Sequence, residues 1–178
     1  MTNTIFFHED SYGQIEFMPE KNFFNVQKYI ENLTTQDNSL LGFQKITERD
    51  KPLLKLEDLK IPTEEIHSLL SQNSINYFPI VNTGFGNKSI IKESTVAFGF
   101  ERLGVFVESN NSIVNNLWIG LSSKFQSSKS CINLLKTLQL LGEKYQLILI
   151  DWDEKVIIRL QNLNDVKQYL ADVFGFNF

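Results

Sequence analysis

Tyr145–Gln161 reads YQLILIDWDEKVIIRLQ. Two apolar runs, Leu147–Ile150 and Val156–Leu160, flank a polar turn at Asp151–Lys155. β-branched and aliphatic residues fill both runs, and the short polar break between them has the spacing of a β-hairpin. Upstream, Cys131, Leu134, Leu135, Leu138 and Leu141 fall on one face of a helix. Ser127 or Ser128 caps that helix, and Gly142 can take the left-handed conformation that stops it. Downstream, Val166, Tyr169, Leu170 and Val173 share one face of a second helix capped by Asn164. Ser128–Phe174 is therefore expected to close the chain as a helix–hairpin–helix unit.

The chain before this unit alternates short strands with short helices. Thr4–Phe7 and Gln14–Met18 read as strands, joined by the turn-like HEDSYG at His8–Gly13 and ended by Pro19. Phe23, Val26, Ile30 and Leu33 mark a helix, with Asn22 able to cap it. Thr34–Leu59 is polar and read as a long loop, broken at Lys51–Pro52, with one short strand near Leu41–Ile46. Thr63 supplies a hydroxyl cap ahead of Glu64 and Glu65, acids that suit the positive end of a helix. Ile66, Leu69 and Leu70 form its apolar face, and Gln72–Ser74 ends it. Asn76–Val81 is a candidate strand before a glycine-rich turn at Thr83–Lys88. Three further strands are expected at Thr95–Phe100, Val105–Glu108 and Ile113–Leu121, with a turn at Asn110–Asn111. No repeat or inter-domain linker interrupts residues 1–178. The expected fold is one α+β domain, a mostly antiparallel sheet packed with about four helices.

Composition bounds the function. Apolar residues make up 42% and charged residues 21%, which is enough apolar material for a folded core. The net charge is −4. That disfavours nucleic acid, whose binding requires phosphates to be neutralised by Lys and Arg. It disfavours an anionic membrane surface for the same reason. Residues 1–20 hold Glu9, Asp10, Glu16 and Glu20 with no Lys or Arg, so the remainder of the chain is close to neutral. This segment reads either as a solvated edge or as part of a docking face for a cationic partner. The opening MTNTIFFHED has neither a basic start nor a long apolar run of the secretory kind. No apolar run approaches the ~20 residues that span a bilayer. The expected location is cytoplasmic.

Recognisable chemistry is sparse. TGFGNKS at Thr83–Ser89 looks like a phosphate loop, but Asn87 stands where a P-loop needs glycine, and the glycine spacing differs; a simple turn is the better reading. His8, Glu9 and Asp10 are adjacent, and adjacent side chains on an extended strand point to opposite faces, so they do not converge on a metal ion. A single cysteine, Cys131, excludes an internal disulfide and reads as a core residue. Neither His8 nor His67 sits in a nucleophile–base motif. No catalytic residue, cofactor or metal is expected. Asp151–Glu154, three acids around Trp152, is a surface candidate. The indole could be an apolar anchor ringed by charge, or it could fold back on the core and leave the acids as a solvated turn.

Two stretches resemble one family. FFHEDSYGQIEFMPEKN at Phe6–Asn22 resembles the opening of bacterial immunity proteins of polymorphic-toxin systems, including those of contact-dependent growth inhibition (CdiI-type). LLGEKYQLILIDWDEKVIIRLQNLNDVKQYL at Leu140–Leu170 is similar to the C-terminal portion of such proteins. The resemblance implies a small cytoplasmic, noncatalytic protein that binds and neutralises one cognate toxin C-terminal domain, commonly a nuclease with a basic surface. An acidic inhibitor would complement such a surface. The toxin-binding candidates are Glu9, Asp10, Tyr12, Glu16, Asp151, Trp152, Asp153 and Glu154. The alternatives are a small cytoplasmic hydrolase with a site not recognisable in the sequence, and a protein-binding adaptor. A deep pocket gathering His8 or His67 with carboxylates would mark the hydrolase. The oligomeric state is left open.

Overall fold

The computed structural model describes residues 3–36, 51–72, 75–84, 89–100, 103–121 and 128–175. In chain order the strands are β1 (Thr4–His8), β2 (Ile15–Pro19), β3 (Asn76–Phe78), β4 (Ile80–Gly84), β5 (Ile90–Ile91), β6 (Thr95–Phe100), β7 (Leu103–Asn110), β8 (Ile113–Leu121), β9 (Leu147–Asp151) and β10 (Val156–Arg159). The helices are α1 (Phe23–Gln36), α2 (Thr63–Gln72), α3 (Ser128–Tyr145) and α4 (Leu163–Phe174). The protein is a small α+β domain with mostly antiparallel sheets, closed by the helix–hairpin–helix unit α3–β9–β10–α4.

Seven strands form one antiparallel sheet in the order β10-β9-β2-β8-β7-β6-β3. One face carries Ile15, Phe17, Val105, Ile119, Leu147 and Leu149 and is covered by α2, α3 and α4 in the main core. The opposite face has two separate covers. Over Ala97, Phe106 and Trp118 lies a three-stranded sheet, β1-β4-β5, which contributes Ile5, Phe7 and Val81. Over Ile148 and Ile150 lies α1, through Val26 and Ile30. Because β9 is covered on both faces, all five of its residues are buried. That is why its sequence is a continuous apolar run and not an alternating one.

Several local expectations change. β1 and β2 belong to different sheets, with β1 parallel to β4 and β2 between β9 and β8. The strand expected at Asn76–Val81 divides at Pro79 into β3 and β4, one in each sheet. Proline offers no N–H to a continuous ladder. Of the long loop expected at Thr34–Leu59, Thr34–Gln36 belong to α1 and Leu56–Leu59 form a short 3-10 turn, while residues 37–50 lie outside the described residues. The strand expected near Leu41–Ile46 lies outside the described residues, as does most of the glycine-rich turn after Gly84. The β7–β8 turn centres on Asn111 and Ser112, both left-handed (φ 50° and 60°), one residue later than expected. Two left-handed central residues suit the twist of a tight hairpin.

The caps also differ. Asn22 is 1% exposed, and its amide spans the chain to Leu54, donating to Leu54 O at 2.7 Å and accepting from Leu54 N at 3.2 Å. It therefore ties residue 54 to the start of α1 instead of capping that helix. The Thr63 hydroxyl has no partner, and Pro62 O accepts the first amides of α2, from Glu65 and Ile66. Asn162, not Asn164, caps α4, accepting from Asn164 N at 3.1 Å. Helix α3 runs through Gly142 to Tyr145, and Gln146 takes the left-handed turn (φ 52°). Gly142 is needed for space: a Cβ there would stand 2.4 Å from Leu160 Cβ.

Candidate functional site

Strand β2 fixes the geometry. Its neighbours place Glu16 opposite Ile150 of β9 on one side and Trp118 of β8 on the other. The row continues through Phe106 to Ala97 and Phe78. Glu16 is the one carboxylate in this row of apolar residues. It lies where the row passes from the cover of α1 to the cover of the small sheet. A charge is tolerated there because the seam leaves it partly open to water.

Trp152 closes on Glu16 from the hairpin tip. Its backbone N–H donates to Gln14 O at 2.9 Å, extending the β2–β9 ladder by one residue. Its indole Nε1 donates to Glu16 Oε1 at 2.6 Å. The ring meets Tyr29 of α1 edge-on, with centroids 5.9 Å apart and planes at 88°. Trp152 thus folds back between α1 and the sheet while keeping part of its surface in solvent. The ionised acceptor makes this hydrogen bond stronger than a neutral one, and it fixes the ring orientation.

On the other flank of the seam, Tyr12 is 41% exposed and its ring packs edge-on against Trp118 at 4.8 Å. Its hydroxyl donates to Glu108 Oε2 at 2.9 Å and accepts from Asn116 Nδ2 at 2.9 Å. Lys92 Nζ sits 4.8 Å above the Tyr12 ring and 3.7 Å from Glu108 Oε1. Burial, the hydrogen bond to Glu108 and the nearby Glu108 and Glu16 charges hold the Tyr12 phenol above its ordinary pKa.

The turn itself is organised from below. Asp151 is 2% exposed. Its Oδ1 accepts from the backbone of Asp153 at 3.1 Å and Glu154 at 3.0 Å, and its Oδ2 accepts from Tyr169 OH of α4 at 2.8 Å. Asp151 is therefore withdrawn from the surface, and it shapes the tip instead of presenting charge. Asp153 and Glu154 are exposed. Glu9 and Asp10, also exposed, lie in a 3-10 turn that His8 caps, with Asp10 N donating to His8 Nδ1 at 3.4 Å and the Asp10 carboxylate 3.3 Å from it.

The expected contacts thus divide. Tyr12, Glu16 and Trp152 converge on the seam; Asp153 and Glu154 border it at the hairpin tip; Asp151 lies beneath. Glu9 and Asp10 precede the seam on the chain, three and two residues before Tyr12. The sequence reading missed Glu108, Asn116, Lys92 and Tyr29. Glu108 and Asn116 face each other across β7–β8 at a register shift, a pairing no local pattern reveals. Tyr29 could have been found one position before Ile30 on α1, at the edge of its apolar stripe.

Among the described residues, two clefts lie near these side chains. One, between α1 and the tip, is lined by Met18, Val26, Tyr29, Pro52 and Trp152, with Asn22, Asn25 and Lys51 also bordering it. The other is open and shallow, bounded by Glu20, Arg159, Gln161, Asn162 and Leu163, with Arg159 lying 3.7 Å over the Phe23 ring. Neither contains a histidine. His67 packs among Tyr77 and Phe98 at 5.9 and 5.2 Å, and burial holds its imidazole below the ordinary pKa. Burial raises the Cys131 thiol to about 11, which leaves it protonated. Among the described residues no group of three or more His, Cys, Asp or Glu forms a metal-binding cluster, and no helix is long and apolar enough to cross a membrane.

The chain matches no known protein family, curated protein or solved structure.

Proposed function

We propose that this protein is a noncatalytic immunity protein of a contact-dependent inhibition or related polymorphic-toxin system. It acts in the cytoplasm by binding a cognate toxin C-terminal domain with a basic surface, such as a nuclease. The observation that carries the reading is the union of the two stretches bearing the resemblance. They are 136 residues apart at the Trp152–Glu16 hydrogen bond, yet they share one ladder and one seam. A partly exposed tryptophan held rigidly beside carboxylates suits a protein hot spot, where an oriented aromatic loses little entropy on binding. The exposed Asp153 and Glu154 beside it supply complementarity and steering toward a basic partner.

Co-expression with the product of the adjacent upstream reading frame tests this. The expected result is that the neighbouring product arrests growth alone and that this chain restores it, through a complex isolable from the cells. A harmless neighbour, or a toxic one that this chain neither binds nor neutralises, would overturn the proposal.

A further inference from the structure

Resting on that reading, we infer that the cleft between α1 and the hairpin tip is the anchor point of the interface. It receives one uncharged aromatic or long aliphatic side chain, carried on a basic surface of the partner. The walls decide the first half. Met18, Val26, Tyr29, Pro52 and Trp152 give an apolar lining, and the indole and phenol meet at 88°, so an inserted ring can lie along one and meet the other edge-on. The enclosed space is about 40 Å³, far below the 300–1,000 Å³ range of ligand clefts, so the cleft seats the end of one side chain at its mouth and has no room for a cofactor.

Charge decides the second half. Lys51 borders the cleft and opposes a cationic occupant. Outside it, Asp153 and Glu154 are exposed immediately after Trp152, and the seam carboxylate Glu16 holds the indole edge. The positive charge of the partner therefore belongs around the mouth, with an apolar group inside. A desolvated apolar centre with a polar rim is the arrangement that concentrates binding energy at protein interfaces.

The chain has two tryptophans, so 5-fluorotryptophan labelling gives two fluorine signals, which a Trp152→Phe variant assigns. Trp118 is fully buried and serves as the internal control. Titration with p-cresol should move the Trp152 signal saturably and leave Trp118 in place. An Asn25→Phe variant, changing an exposed residue on the cleft border, should abolish the response without lowering the melting temperature. The inference fails if p-cresol gives no saturable shift, or if n-butylammonium moves Trp152 as strongly. With the toxin domain from the adjacent frame, Asn25→Phe should weaken binding at least tenfold, and Asn25→Ala less than twofold. Equal binding by wild type and Asn25→Phe would overturn the cleft while leaving the proposed function standing. A domain that binds neither protein would overturn the proposed function, and the p-cresol titration would still decide whether the cleft takes an apolar ring.

Discussion

The hydroxyl of Tyr169, on α4, donates to Asp151 Oδ2 at the end of β9, 2.8 Å away, with both residues almost fully buried. Asp151 also holds the turn that carries Trp152, so this hydrogen bond couples the last helix to the hairpin tip. Tyr169→Phe should destabilise the fold by about 1.5–3 kcal/mol, the usual range for a hydrogen bond to a charged group. Burial first, and then the Asp151 charge and hydrogen bond, push the Tyr169 phenol far above its ordinary value of 10.0. The folded pKa is raised, so the stabilisation is complete below pH ~10 and is lost as pH rises, when the unfolded chain alone ionises. Wild type should lose up to about 1.4 kcal/mol per pH unit more than Tyr169→Phe above that point. Parallel urea-unfolding profiles for the two proteins between about pH 8 and pH 11 would rule this out.

His67 gives the opposite sign at the acidic end. Its Nε2 is buried without a partner, beside the mutually packed rings of Tyr77 and Phe98. Burial lowers its pKa from 6.5, and Glu64 on the same helix only partly offsets this. The folded pKa is depressed, so the unfolded chain takes up a proton first and stability falls as pH drops through about 6.5. His67→Phe retains a ring against Tyr77 and Phe98 and should flatten this loss. The check is the urea midpoint at about pH 5 and pH 7.5 for both proteins; an equal drop in each refutes it.

Gly142 tests packing against propensity. In an exposed helix Gly→Ala gains about 1 kcal/mol. Here a Cβ would lie 2.4 Å from Leu160 Cβ, 2.5 Å from Leu160 C and 2.8 Å from Gln161 N, two of them backbone atoms that cannot rotate away. Gly142→Ala should therefore destabilise by about 1–3 kcal/mol, as overpacked cores do. A melting temperature equal to or above wild type would show that α3 and the β10–α4 junction separate without cost.

These contacts also mark where sequence reading stops. The helix stripes and the hairpin were legible because each follows a local period: Leu134, Leu138 and Leu141 on α3, or the apolar run of β9. Gly142 was misread as a helix stop because its close partner, Leu160, is contributed by the far side of the hairpin. Asn22 was misread as a cap because Leu54 lies 32 residues away. The strand at Asn76–Val81 looked continuous because nothing local assigns its two halves to different sheets. At the candidate site, the residue types at Glu16 and Trp152 drew attention in the sequence, but their meeting depends on β2 entering between β9 and β8, an order fixed by the whole sheet.

The acids around the seam should act differently according to exposure. Asp153 and Glu154 are exposed, and their Lys variants leave the Asp151 turn intact, because that turn uses only their backbone N–H groups. Asp153→Lys and Glu154→Lys should therefore slow association with a basic toxin domain roughly tenfold at low salt and flatten its salt dependence, with dissociation little changed, as rim charges do. Glu9→Lys and Asp10→Lys should act in the same direction. Trp152→Ala, by contrast, removes an oriented ring, and most such losses are expressed in the dissociation rate. Glu16→Gln separates the two effects: glutamine can still accept from the indole, so dissociation should change less than for Trp152→Ala, while the salt dependence flattens. Association kinetics at two ionic strengths measure all of these. Rates untouched by the four charge reversals would place the toxin-binding face elsewhere on the molecule.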